Sequence, residues 1–237
     1  MNDATHLMID GSHLVVSADL DLSSPVSTFG WVYVEALGRA HPFQIQPPGY
    51  TYNLEKNVLP LLPSSIEVGP INEFSMKGGI LRIVEGTVKQ QKGVNQITVG
   101  AWEGETGCIW TSRTECAVAQ MIGIFDSVDF MSSDDGVCFT SPIDPTLRAP
   151  RCIKEIPDFA VVTVTPLIDS EIKRLPGHRG ARVNHGDLYR VRRGGASLML
   201  VTASALAIVD PRDRSQFDED ALVDRTAEME ISWNSPA

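Results

Sequence analysis

ILRIVEGTV (Ile80–Val88) and VNQITVGAW (Val94–Trp102), joined by KQQKG (Lys89–Gly93), are the stretch on which the fold turns. Both runs are rich in Val, Ile and Thr, and the polar link ends in Gly. That combination predicts a β-hairpin. In the second run Ile97, Val99 and Ala101 share one face, and Thr98, Gly100 and Trp102 share the other, as in a half-buried strand. Gly78-Gly79, just before the first run, reads as a turn needing positive φ.

A Trp-containing loop is expected after the hairpin, and then a helix over Ser112–Asp126. Ser112-Arg113-Thr114-Glu115 fits a capping box, with Ser112 as N-cap. Val118, Met121, Ile122 and Phe125 form an i, i+3, i+4, i+7 stripe. No charge occurs from Cys116 to Phe125, and Gln120 is the only polar side chain there. Such a helix has no solvated back face: it is a core helix, or one side meets another chain. Val118, Met121, Ile122 and Phe125 are therefore candidate interface residues. The segment is too short to cross a bilayer, which takes roughly 20 apolar residues.

Further strands are expected at His13–Leu20, Thr28–Ala36, Phe43–Ile45, Val137–Thr140, Phe159–Val164, Ala205–Val209 and Ala227–Trp233. Leu188–Val191 and Ser197–Val201, linked by Arg192-Arg193-Gly194-Gly195, make a second hairpin. Asn53–Leu62 reads as one or two helical turns stopped by Pro60 and Pro63. Ile66–Phe74 reads as irregular, Met131–Gly136 as a turn, and Asp218–Arg225 as a short acidic helix. These short runs between frequent Gly and Pro predict a mainly β fold: an antiparallel β-sandwich, compatible with a jelly-roll-like connection, with one conspicuous apolar helix over an opening. The alternative is an α+β layer with that helix on one sheet face. A single domain over 1–237 is expected, with a lobe boundary in the Pro-rich stretch 141–157.

The 237 residues carry a net charge of −10, which disfavours diffuse nucleic-acid binding. The N-terminus has no basic region followed by an apolar run, so no secretory signal is expected. The four cysteines lack any C-x-x-C spacing and read as free thiols. These features point to the cytoplasm, or to a particle assembled there, and away from membranes.

No motif announces chemistry. G-x-S-x-G, phosphate-loop and dinucleotide-loop patterns are absent. His178 and His185 flank Arg179 and Arg182, but His185-Gly186-Asp187 reads better as a turn into a strand than as half a catalytic pair. His6, Asp10 and His13 lack the spacing of a metal site. No catalytic, cofactor or metal residue is therefore assigned, and no cofactor is expected.

Charge is unevenly spread. Lys173–Arg193 holds seven basic side chains against Asp187 alone. Arg179, Arg182, Arg190, Arg192 and Arg193 are candidates to meet an acidic surface, on another copy or on a protein partner. Nucleic acid is an unlikely partner except locally through 173–193, where Tyr189 is the only aromatic. The leading expectation is a non-enzymatic structural subunit of a homo-oligomeric assembly of the shell, capsid or tail type. An accessory module holding one protein partner is the second, and an enzyme with residues on scattered loops the third.

Overall fold

The structure, a computed structural model, describes residues 1–47, 54, 59, 66–90, 93–141, 150–191, 197–213 and 218–235. The fold is mainly β and antiparallel, with few helices. The chain divides into two compact units, Met1–Ser27 with Pro150–Ala237, and Thr28–Ala149. The second division falls inside the Pro-rich stretch 141–157, of which 142–149 lie outside the described residues. Asn53–Leu62 is described only at Leu54 and Leu59.

The first strands in the chain are β1 (Asn2–Leu7), β2 (His13–Ala18), β3 (Val26–Ala36) and β4 (Arg39–Gln46). There follow β5 (Ile66–Met76), β6 (Gly79–Gln90), β7 (Gly93–Glu103), β8 (Cys108–Thr114), helix α1 (Val118–Ser127), β9 (Phe130–Ser133) and β10 (Gly136–Phe139). After 150 come β11 (Arg151–Ile156), β12 (Ala160–Pro166), α2 (Asp169–Ile172), β13 (Ala181–Val183), β14 (Gly186–Arg190), β15 (Leu198–Val201) and β16 (Ala205–Pro211). The chain closes with α3 (Glu219–Glu228) and β17 (Glu230–Asn234).

The unit formed by the chain's two ends is a sandwich. One sheet runs β13-β14-β15-β16-β12-β11, and the other is β1-β2-β17. Alternation explains the pairing: Cys152, Lys154 and Ile156 stand opposite Val164, Val162 and Ala160, and all six are buried. From the small sheet, Leu14 and Val16 of β2 and Ile231 and Trp233 of β17 enter the same core as Val162, Val164, Leu198, Leu200 and Val209. Each such side chain contributes about 1.5–3 kcal/mol when fully buried. The buried Lys154 donates from Nζ to Ser24 O at 2.6 Å. Helix α3, expected over Asp218–Arg225, starts at Glu219 with Asp218 as its N-cap, whose Oδ1 accepts from the amides of Asp220 and Ala221.

The Thr28–Ala149 unit carries a six-stranded sheet, β3-β4-β8-β7-β6-β5, and the hairpin β9-β10. Leu37-Gly38 and Lys77-Gly78 close its two-residue turns, with φ of 50° and 72°, and 49° and 75°. Positive φ at both positions is the type I′ geometry that matches strand twist. Helix α1 lies on one face of β6 and β7, with Met121 and Phe125 over Gly100. Phe43, Phe125, Phe139, Phe130 and Trp102 form a continuous series of tilted and edge-on aromatic contacts there. Lys77 Nζ donates to Asp126 O and Val128 O at 3.0 and 2.5 Å, placing a cation at the C-terminus of α1. On the opposite face Val84, Val99, Ala101 and Trp110 are buried with Leu54.

Three local expectations are corrected. Ser112 is not a helix cap: it lies in β8 opposite Val99, and the expected Trp-containing loop is largely this strand. The run CIWTSRT gains a ladder of hydrogen bonds beside β7, so the helix starts only at Val118, where Gln120 Oε1 accepts from the Ala117 amide at 2.9 Å. Ile66–Phe74 is not irregular but forms most of β5, whose register shifts between Val68 and Ile71 around Gly69-Pro70. Met131–Gly136 is not only a turn: it contributes to both strands of the β9-β10 hairpin.

Candidate functional site

The four helix candidates do not share one environment. Met121 and Phe125 are fully buried within their own unit, whereas Val118 and Ile122 are half-buried. The third buried residue of α1 is Ile124. Packing on Gly100 explains the division: the Cβ-less residue lets Met121 and Phe125 approach the sheet backbone closely. Those two side chains are core, and cannot form a contact with another chain while the unit is folded.

The basic candidates are partly satisfied internally. Arg182 pairs with Asp187 at 3.5 Å, and Arg190 Nη1 donates to Glu219 Oε1 of α3. Arg179 is exposed and forms no ion pair with a described residue. Arg192 and Arg193 lie outside the described residues. The acids of the chain's two ends join this segment in one unit, so the charge separation along the sequence is diluted in the fold. His185 lies 3.8 Å from Glu230, in a turn between β13 and β14. All four cysteines are buried free thiols. Among the described residues no group of three or more His, Cys, Asp or Glu could hold a metal ion, and no helix is long and apolar enough to cross a membrane.

Two features of the Thr28–Ala149 unit were not singled out by motif. The first is β5, an eleven-residue strand whose sheet neighbour among the described residues is β6 alone. Val68 and Ile71 on it are 43% and 37% exposed. Its carboxylate Glu73 is held by Arg82 Nε at 2.9 Å, and Arg82 Nη1 also reaches Glu103 at 3.0 Å. A cavity of about 380 Å³ opens beside Ile71, Glu73 and Arg82.

The second feature is a cavity of about 410 Å³ where β4 and β8 meet the first turn of α1. Arg39, His41 and Arg113 line it, as do Glu115, Cys116 and Gln120. The β4–β8 register, with Gln44 opposite Trp110, places His41 across from Arg113 and Arg39 two residues along the same face. His41 Nε2 lies 3.0 Å from Ala36 O, and Nδ1 lies 2.9 Å from Arg113 Nη1. A carbonyl only accepts and a guanidinium only donates, so the ring carries its proton on Nε2 and is neutral. Burial, and then the Arg113 charge, hold the His41 pKa below the ordinary imidazole range; Arg39 acts in the same direction, against the Ala36 carbonyl. Burial also pushes the Cys116 thiol up, so Cys116 is a protonated thiol, not a thiolate nucleophile.

No protein-family model matches this sequence, no curated protein matches it, and no solved structure matches the fold. The site is therefore read from its own residues. The signal for β5 was the Met76-Lys77-Gly78-Gly79 turn, which needs a strand on both sides. Nothing local could have linked Arg39 and His41 to Arg113, because a register across some 70 residues brings them together.

Proposed function

We propose that the protein is a non-enzymatic structural subunit that assembles with copies of itself, built in the cytoplasm or in a particle formed there. The observation that carries this reading is the edge of β5, which has no second strand beside it among the described residues. Alternate residues of an antiparallel edge strand turn their N–H and C=O groups outward, a template for another strand. Natural sheets guard such edges, and the far edge of the other unit's large sheet follows that rule: β13 has three residues and bears exposed Arg182. Among the described residues, what guards β5 lies in its first half, at Pro70 and the register shift. Ile71–Met76 remain regular, and carry one charge, Glu73.

A second copy is the favoured occupant because an antiparallel β5–β5 pair is self-complementary about a two-fold axis. Glu73 is paired with Arg82, which it shares with Glu103, and this lowers the repulsion that two like charges brought together at such an axis would otherwise bring. Orientation by charge is left to exposed cations such as Arg179, since Arg182 and Arg190 already have internal partners.

The test is the Val68→Lys, Ile71→Lys double variant, followed by sedimentation over a range of concentrations. Both sites are exposed, so each change should alter stability by no more than about 0.5 kcal/mol. The parent is expected to associate and the variant to remain monomeric with an unchanged melting temperature. A variant that associated as the parent does would remove β5 from the interface.

A further inference from the structure

We infer that the cavity between β4, β8 and the first turn of α1 is a binding site for a small organic oxyanion, whose anionic group is held by Arg39 and Arg113. Three observations converge on it. Two guanidinium groups face one cavity, and neither forms an ion pair with a described carboxylate. Arg113 is fixed in place by its donation to neutral His41, which spends one of its five N–H donors and leaves the rest for a ligand. His41 is in turn fixed by Ala36 O, so it is a positioning residue and holds no charge of its own to satisfy.

The rest of the lining sets the ligand class. Leu37 and Ile124 give the cavity an apolar side, and Gln120 Oε1 accepts from the Ala117 amide at the start of α1. A volume of about 410 Å³ is that of a small-molecule site. The opposing charge there is Glu115, which lines the cavity without pairing to either arginine among the described residues. Its carboxylate limits affinity and selects against ligands of high negative charge. Phosphate and carboxylate groups share the geometry that a guanidinium fork recognises. The Arg39–His41–Arg113 cluster therefore assigns an oxyanion headgroup, and the apolar side assigns a short hydrocarbon body.

Calorimetric titration of the full chain at low ionic strength tests this, with inorganic phosphate and hexanoate as separate probes. At least one should bind saturably, one per chain, with a Kd of about 1 mM or tighter. Tighter binding of phosphate would point to a phosphorylated ligand, and tighter binding of hexanoate to a carboxylic acid. Arg113→Gln should weaken binding about ten- to hundredfold. Because Arg113 also supports His41, the exposed Arg39→Gln variant provides the same test without that burden, and should weaken binding with the melting temperature unchanged. Glu115→Gln should tighten it. Absence of saturable binding of both probes to the parent would overturn the assignment. So would parent-like binding by Arg39→Gln, or weaker binding by Glu115→Gln.

Discussion

Gly100 shows how one residue fixes a layer. A Cβ added there would stand 2.7 Å from both Met121 Cγ and Phe125 Cε2, inside any tolerable contact. Gly100→Ala should therefore force α1 outward and cost about 1–3 kcal/mol, measured by denaturant unfolding. An unchanged midpoint would mean that the helix is not seated on β7. The face of Gly100 was legible in the sequence, since it alternates with Ile97, Val99 and Ala101. His41 was not legible, because its partners come from β3 and β8. It faces Arg113, Arg39, Glu115 and Cys116 around one cavity. Its folded pKa is depressed, so the unfolded chain binds the proton first as pH falls. Its contribution to stability should be present above about pH 6.5 and be lost as pH falls below that value. Denaturant midpoints from pH 7.5 downward would show this slope, and His41→Gln should flatten it. An equal slope in the variant would assign the proton uptake elsewhere.

At the scale of elements, α1 was readable and its start was not. The apolar stripe names Met121 and Phe125 correctly as buried, because helical periodicity survives any tertiary context. The capping pattern at Ser112 misled because sheet pairing with Val99 outweighs a cap worth about 1 kcal/mol. Phe125→Ala should cost about 3–5 kcal/mol, and Ile122→Ala clearly less, because Ile122 is half-buried. Equal losses in thermal unfolding would contradict the orientation of the helix. Strand β5 was hidden for a different reason. Gly69-Pro70 breaks its alternation, and such a break is accommodated at edge strands and at bulges. The feature that concealed the strand is thus one that suits it to an edge.

For the whole molecule, the mainly β class followed from the density of short Val- and Ile-rich runs between turns. The joining of the chain's two ends in one unit did not. One unit is closed by pairing β2 with β17, where His13 stands opposite Asn234, and no local pattern reports a contact across more than 200 residues. Met1–Ser27, which holds four Asp and no Lys or Arg, belongs to the same unit as the basic segment 173–193, so the charge asymmetry read along the chain is not a separation of charge between units. Among the described residues, what is open to another copy is the edge of β5, and backbone amides report directly on whether an edge is covered. The decisive measurement is hydrogen exchange of the Ile71–Met76 amides at low and high protein concentration, with mass in solution measured in parallel. We expect the outward amides of this segment to become protected as the mass rises above that of one chain. A chain that stays monomeric throughout, or that assembles while these amides exchange at an unchanged rate, would contradict assembly through β5.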